Sequence, residues 1–164
     1  MNNKREKVLD VLDDLNINYE LIENPAVKTM EEMQQVLPVD NPQEIIKNLF
    51  LYDDKKKRFF LVSTSGDQSI NLKELRDKLA CRPLSFASEE RLKLMLGLDR
   101  GEVSPFGILN DQDGKVEVVF DEKIKSFTKI GIHPNDNTAT IFLAPADLEK
   151  IVKTRRNSLT YIKF

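Results

Sequence analysis

The sequence is poor in several features that define large classes of proteins. It contains one cysteine, Cys81, among 164 residues, so it has no internal disulfide, and this fits a reducing compartment such as the cytoplasm. No apolar run approaches the roughly 20 residues that a membrane-spanning helix needs. Residues 1–15 are charged throughout and lack the apolar core of an export signal. We therefore expect a cytoplasmic protein with no membrane partner.

An excess of charge of one sign is also missing. Lysine and arginine number 25 against 27 aspartates and glutamates, so the formal net charge is −2. A protein that holds a long duplex through many phosphates is usually basic. We therefore do not expect DNA as a partner, and any nucleic-acid contact should be small, such as an end or a loop. The basic clusters 55–58 and 153–156 are interpreted as solvated charge, with a short phosphate-contacting patch as the alternative.

Motifs for metals, cofactors and activated nucleophiles are absent. With one histidine and one cysteine, no metal-ligand spacing occurs, and no glycine-rich phosphate loop or nucleophile elbow is present. A serine or cysteine hydrolase would need His133 as its base, yet nothing in the sequence marks its nucleophile. Cys81 is interpreted as a small core residue. We expect no metal and no cofactor.

Helical and strand patterns alternate along the chain, and Asn16 and Gly97 are predicted to end helices. The predicted helical segments are 4–15, 29–37, 71–79, 88–97, 121–126 and one that begins at Pro145. The predicted strands are 17–22, 47–52, 58–64, 82–87, one on each side of the Asp113–Gly114 turn, 128–130, 138–143 and 158–164. This pattern predicts the α+β class, with one compact domain over residues 1–164 and a mixed, mostly antiparallel sheet flanked by helices.

Lys47 opens an otherwise apolar strand. It has the same parity as Leu49 and Leu51, so its ammonium should share a face with buried side chains. There it would be desolvated or would need an anionic or carbonyl partner. The alternative is a strand-end lysine that reaches water with its tip.

Two loops are rich in residues that fix backbone shape. In Gly101–Gly107 the two glycines and Pro105 predict a loop with open backbone N–H groups, which could hold a carbonyl or phosphate oxygen; a tight turn needs the same residues. In the second loop His133, Asn137 and Thr138 place neutral polar groups before a strand. A surface turn with an incidental imidazole is the alternative there.

Four motifs occur in the order typical of one known family: KNLFL at 47–51, SGD at 65–67, G-x-V-S-P-F-G at 101–107 and HPNDNTAT at 133–140. From about residue 20 to 150 the chain resembles the YbaK/prolyl-tRNA synthetase editing-domain family, most closely its free-standing PrdX/ProX-type branch. The resemblance implies a trans-editing hydrolase that deacylates mischarged aminoacyl-tRNA(Pro), first of all Ala-tRNA(Pro), and whose partner is the acceptor end of that tRNA. It also leaves room for a contact with prolyl-tRNA synthetase.

The resemblance also implies roles for individual residues, with a ribose hydroxyl of the substrate helping to place the attacking water. The implied catalytic residues are Lys47, Gly101, Ser104 and Pro105. The implied substrate-binding residues are Thr29, Ile46, Asn48, Phe106, Gly107, His133, Asn137 and Thr138. One departure is Asn24, where related sequences often have histidine, so the aminoacyl preference stays open.

Three other functions remain open at this point. The same chemistry could act on Cys-tRNA(Pro), and pocket volume near Thr29, Ile46 and His133 would separate the two substrates. The fold could instead serve as a non-catalytic module that binds tRNA or a synthetase, although the retained Lys47 and glycine loop argue against lost activity. A small-metabolite regulator using the same pocket is the third.

Overall fold

The computed structural model describes residues 3–25, 31, 32, 35 and 41–164. The predicted helix 29–37 lies largely outside these residues, and Thr29 lies outside them entirely. The α-helices whose ends lie among the described residues are α1 Asn3–Asp14, α2 Leu72–Leu79, α3 Glu89–Leu96 and α4 Pro145–Lys153. The strands are β1 Glu20–Glu23, β2 Lys47–Asp53, β3 Phe59–Thr64, β4 Leu84–Phe86, β5 Val116–Asp121, β6 Ile130–Ile132, β7 Ala139–Leu143 and β8 Leu159–Ile162. In this described part, no helix is long and apolar enough to cross a membrane.

The strands form two sheets. The larger has the order β4-β2-β3-β5-β8, in which β2 runs antiparallel to both neighbours while β3, β5 and β8 are parallel. The smaller is antiparallel, with the order β1-β7-β6. The two sheets meet where the Ile46 N–H donates to the Gly131 carbonyl at 2.9 Å. The α+β class with a mixed sheet is thus confirmed, and the division into two sheets is an addition that periodicity did not reveal.

Gly131 makes this junction close. A Cβ on Gly131 would lie 2.8 Å from Ile45 Cδ1 and 2.9 Å from Phe142 Cε1, distances that real Cβ atoms do not show. A side chain at residue 131 would therefore force Ile45 or Phe142 to shift, and glycine lets the start of β2 pack tightly against β6 without that shift. Through this junction the residue before Lys47 contacts Gly131, two residues before His133, so the start of β2 lies next to the histidine turn.

Most of the predicted helix boundaries are confirmed by their capping contacts. The Asn71 side chain accepts hydrogen bonds from the first turn of α2, and Ser88 caps α3 through the Arg91 N–H. Gly97 ends α3 with φ 68°, and Asn16 follows α1 with φ 55°, both left-handed conformations that stop a helix. These signals can be recognised in the sequence because each depends on one residue type at the end of a helix.

Three predicted strands were wrong or displaced. The strand predicted over 128–130 lies two residues later, as β6, because the 3₁₀ helix Glu122–Ser126 ends only at Phe127, whose N–H donates to the Ile124 carbonyl at 3.2 Å. The segment before the Asp113–Gly114 turn is a 3₁₀ helix, Pro105–Asn110, because Pro105 and the capping Ser104 start a helical turn there. The strand predicted over 17–22 is displaced to β1, since the Ile17 N–H bonds the Leu12 carbonyl at 2.9 Å and closes the end of α1.

The larger sheet is buried on both faces. One face, with Phe50 and Leu61, packs into the main core together with residues of the smaller sheet. The other face, with Leu51 and Val62, packs against α2 through Leu75. Neighbouring residues of β2 therefore point to opposite sides, which separates the side chain of Lys47 from that of the next residue.

Candidate active site

The glycine-proline loop and the histidine turn are joined by buried hydrogen bonds. The Ser104 hydroxyl donates to the His133 carbonyl at 2.7 Å and accepts from the Phe106 N–H at 3.2 Å. The Asn135 side-chain amide donates to the Phe106 carbonyl at 3.1 Å. Ser104 is 0% exposed and Asn135 is 2% exposed. The two candidate loops thus form one unit, which we call the loop–turn unit (residues 101–107 and 133–138).

The local sequence explains the shape of the first loop. Gly101 has φ 87°, a left-handed conformation that favours glycine. Pro105 begins the 3₁₀ helix that follows the loop. Phe106 is 1% exposed and belongs to the main core, and a Cβ on Gly107 would lie 3.2 Å from Leu96 Cβ. The side chain of Phe106 and the position of Gly107 therefore serve packing, and neither faces an open pocket.

His133 is half-buried and its tautomer is set by the backbone. Its Nδ1 lies 3.0 Å from the Ala139 carbonyl, and because a carbonyl only accepts, Nδ1 carries the proton. In the neutral ring Nε2 is then an acceptor. Burial lowers the pKa of His133, with the Ala139 hydrogen bond opposing in part. The ring is therefore neutral at pH 7, able to accept a proton or a hydrogen bond from substrate or water.

An ion pair with α1 holds the far end of the turn. Arg5 Nη2 lies 2.8 Å from Asp136 Oδ2 and donates to Thr138 Oγ1 at 2.7 Å. Asp136 Oδ1 also accepts from the Thr138 hydroxyl at 2.7 Å. Burial alone would raise the pKa of Asp136, but the Thr138 and Arg5 contacts outweigh it and lower that pKa. Arg5 and Asp136 were not predicted from the sequence, because these two partners are 131 residues apart in the chain.

Asn24 supports the same turn. Its side-chain amide donates to the Asn137 carbonyl at 3.1 Å, and its Oδ1 accepts from the Thr140 hydroxyl at 3.1 Å. Its backbone N–H donates to the Thr138 carbonyl at 3.0 Å. The residue that departs from the family pattern therefore has a structural task in this protein, and Asn137 and Thr138 are positioned through it.

Lys47 is half-buried and finds the carbonyl partner that the sequence predicted as one outcome. Its Nζ donates to the Gln68 carbonyl at 2.8 Å, so the ammonium points to the 65–70 loop. Ile46, the residue before it, is 4% exposed and packs in the main core. The backbone at the start of β2 therefore lies beside the histidine turn, while the amine itself extends toward a third loop.

Asn48 lies on the opposite face of β2 from Lys47. Its Oδ1 accepts from the Ser63 hydroxyl at 2.6 Å. It also lines a cavity of about 430 Å³ together with Gly101 and Val103 of the glycine loop. The structure thus brings Asn48 and Gly101 to one cavity.

The remaining candidate nucleophile is not activated. Cys81 follows α2 and packs beside the second core cluster, and burial raises the pKa of its thiol. A thiol with a raised pKa is a poor nucleophile at neutral pH. Within the described residues there is also no group of three or more histidine, cysteine, aspartate or glutamate side chains that could hold a metal ion.

The chain is similar to several known proteins. Residues 24–151 match the aminoacyl-tRNA editing domain family. The chain is 48% identical over 159 residues to the prolyl-tRNA editing protein ProX of Acetoanaerobium sticklandii, covering 97% of this chain and 96% of that protein. It is 34% identical to the prolyl-tRNA synthetase associated domain-containing protein 1 of Danio rerio, over 98% of this chain and 87% of that protein. A solved structure of a candidate trans-editing enzyme for prolyl tRNA synthetase shares the fold, with a TM-score of 0.77 at 18% identity over 100% of this chain and 99% of that one.

Proposed function

The chain belongs to the aminoacyl-tRNA editing domain family, and we propose that it is a trans-editing hydrolase that removes alanine from mischarged Ala-tRNA(Pro). A relative that matches nearly its whole length is named a prolyl-tRNA editing protein, which supports tRNA(Pro) as the substrate. The expected cytoplasmic location agrees with a role in translation. A contact with prolyl-tRNA synthetase is also part of the proposal, supported by the name of the similar Danio rerio protein, a prolyl-tRNA synthetase associated domain-containing protein.

One observation carries the proposal: motifs far apart in sequence meet in the fold. Ser104 bonds the His133 carbonyl, and the residue before Lys47 bonds Gly131, two positions before that histidine. An ester held here would lie among backbone N–H groups of a loop whose shape is fixed before the substrate arrives. Such preorganised donors stabilise the oxyanion that forms when water attacks an ester carbonyl.

The reaction is a simple ester hydrolysis. The oxygen of water bonds to the carbonyl carbon of the aminoacyl group, and the bond from that carbon to the ribose oxygen breaks. The ribose oxygen takes a proton, and free alanine and tRNA(Pro) leave. We assign the water-orienting roles to the neighbouring ribose hydroxyl of the substrate and to His133, whose Nε2 is an acceptor in the neutral ring.

The same geometry supports positioning roles for several candidate residues. The Ser104 hydroxyl is fully buried and both donates and accepts within the loop–turn unit, so it holds the loop and is not the attacking group. Gly101 and Pro105 set the backbone path, and Asn137 and Thr138 are held by Asn24 and Arg5. Lys47 is proposed to contact the tRNA end, with its present partner, the Gln68 carbonyl, giving way to substrate.

Alanine is favoured over proline by size. A pocket for a methyl group excludes a larger ring sterically, whereas a synthetase site shaped for proline rejects alanine weakly, by about 1–3 kcal/mol of lost apolar contact. Editing is needed because of that asymmetry. Cysteine differs from alanine by one sulfur atom, so comparing the hydrolysis of Cys-tRNA(Pro) with that of Ala-tRNA(Pro) measures how large a side chain the pocket accepts.

A deacylation assay tests the proposal. Purified protein is incubated with alanyl-, cysteinyl- and prolyl-tRNA(Pro), and ester loss is compared for the wild type, Lys47→Ala and the control Lys93→Ala, whose ammonium pairs with the exposed Asp99. We expect alanine to be released fastest, proline to be spared, and only Lys47→Ala to lose activity. Tight tRNA binding without turnover would favour a non-catalytic module, and hydrolysis of the prolyl ester would overturn the assignment.

A further inference from the structure

We propose that the open edge of β2 at Asn48 is a nucleobase subsite, which holds the adenine of the 3′-terminal nucleotide through main-chain hydrogen bonds. The inference rests on the proposed function, because the terminal adenosine carries the ester. It goes further by naming where the base lies and which groups recognise it.

The ladder of hydrogen bonds in the sheet shows which way the Asn48 backbone points. In an antiparallel pair, successive residues direct their N–H and C=O groups alternately to the two neighbouring strands. The Phe50 carbonyl accepts from the Ala87 N–H at 3.0 Å, on the β4 side, whereas the Asp53 N–H donates to the carbonyl of Arg58, the residue just before β3, on the β3 side. By this alternation Asn48 shares the direction of Phe50 and turns both its backbone groups away from β3.

No strand among the described residues covers that position. β4 pairs with β2 only at residues 51–53, and beyond them the last contact is the bond from Ala87 to Phe50. Within the described residues, no backbone hydrogen bond reaches Asn48 from this side. One N–H donor and one C=O acceptor are therefore open side by side. The gap is one residue long, too short for a peptide that adds a strand through several consecutive bonds, but the right size for the paired donor and acceptor of a single base.

The cavity beside this edge suits a nucleotide. Its volume, about 430 Å³, is in the range of small-molecule sites, and Asn48, Leu49 and Gly101 line it. Phe86, at the end of β4, also lines it and is 60% exposed, so it offers an aromatic surface on which a base can stack. Because Gly101 belongs to the loop–turn unit, a base bound here would keep its ribose near the proposed reacting ester.

A cation at the rim adds charge complementarity. Arg100 lines the same cavity, and its side chain is 84% exposed. Its pairing with Glu89 is long, 3.6 Å, and both side chains are exposed, so the guanidinium is available to a phosphate at little cost. A base bound at the β2 edge and a phosphate bound at Arg100 would together be the two ends of one terminal nucleotide.

Nuclear magnetic resonance with adenosine 5′-monophosphate as the probe tests the subsite. The ¹⁵N-labelled full chain is titrated, and the amide signals of Asn48, Gly101 and Val103 should move together in a saturable manner. Purine riboside 5′-monophosphate lacks the exocyclic amine, so it should bind roughly two- to tenfold more weakly, the effect of one hydrogen bond. Signals that move only around the second cavity, which Asp111 and Lys115 line, would overturn the proposal.

A pair of variants isolates the main-chain donor. Asn48→Pro removes the N–H, a change tolerated at strand edges, whereas Asn48→Ala removes only the side chain and its bond to Ser63. We expect the proline variant to bind adenosine 5′-monophosphate severalfold more weakly than the alanine variant. Equal affinity of two folded variants would contradict the assignment; if the proline variant does not fold, the titration of the unmodified chain decides alone.

The outcomes separate this subsite from the proposed function. Hydrolysis of Ala-tRNA(Pro) with no nucleotide-dependent shift at Asn48 would overturn the subsite and leave the function standing. Shifts at Asn48 without hydrolysis of any aminoacyl ester would support a nucleotide site and overturn the hydrolase. Arg100→Gln should weaken binding of the monophosphate but not of adenosine, and the control Arg76→Gln, on α2, should change neither.

Discussion

The loop–turn unit and the Lys47 region are built in opposite ways. The unit is held by buried hydrogen bonds from Ser104 and Asn135 and by the ion pair of Arg5 with Asp136. Lys47 is half-buried, and its ammonium is held by one backbone carbonyl. The first region is therefore held by several contacts before substrate binds, whereas the role proposed for Lys47 requires it to give up one hydrogen bond. A site that must both fix an oxyanion and capture a flexible RNA end benefits from this division.

Among changes in the loop–turn unit, Asp136→Ala should have the largest effect on stability. This carboxylate is 2% exposed and receives hydrogen bonds from Arg5 and Thr138, so its removal leaves the partly buried Arg5 guanidinium with the Thr138 hydroxyl and, as a carboxylate, only the exposed Glu23. We expect a loss of about 2–4 kcal/mol in the free energy of unfolding, measured by urea denaturation. The control Glu23→Gln, at the exposed partner of Arg5, should cost less than about 0.5 kcal/mol. Equal effects would mean that burial of the pair is unimportant.

Ser104→Ala comes next. It leaves the His133 carbonyl without its donor and the buried Phe106 N–H without its acceptor, and an unsatisfied buried group costs about 1–3 kcal/mol. Deacylation should fall because the histidine turn shifts, yet it should not vanish, since the hydroxyl is not the attacking group. Complete loss of turnover in a variant that still folds would show that Ser104 takes part in the chemistry.

The pH dependence of stability should report His133. Burial lowers its pKa in the folded protein, so the unfolded chain binds more protons at pH values just below the ordinary pKa of about 6.5. The contribution is fully present above that pH and is lost as pH falls toward the folded pKa. The free energy of unfolding should therefore rise with pH across this window, by at most about 1.4 kcal/mol per pH unit. In His133→Gln the rise should be absent; an unchanged slope would assign it to other groups.

The smallest effect on stability should come from Lys47→Met, in the Lys47 region. The methionine keeps most of the buried stem and removes one hydrogen bond to the Gln68 carbonyl, so we expect a change within about 1 kcal/mol. Deacylation of Ala-tRNA(Pro) should nevertheless be largely lost. A large loss of stability would show that Lys47 belongs to the framework, and the contrast between the two regions would disappear.

Helix ends could be predicted where the signals are local. Asn16, Ser88 and Gly97 each act on the nearest turn of a helix, and the alternation in β2 predicted the half-buried position of Lys47. Prediction failed at the 3₁₀ helix Pro105–Asn110, where an apolar run resembled a strand although Ser104 and Pro105 start a helical turn.

Only part of the candidate site could be predicted from the sequence. Lys47, Ser104 and His133 stand in recognisable motifs, but the roles of Phe106 and Gly107 depend on the depth at which the loop packs, which no local pattern encodes. Arg5 and Asp136 were missed because an arginine in an amphipathic helix is ordinarily solvated. Only the fold shows that this one reaches across to the turn.

The contact of Arg5 with the turn also affects where a minimal editing unit can be cut. The part of the chain that matches the family begins at residue 24, whereas α1 lies before it. A shortened protein that started at that boundary would keep every signature motif and lose the guanidinium that ties down Asp136 and Thr138. Family borders drawn from shared motifs therefore fall inside the physical unit, and the leading helix should be treated as part of the enzyme.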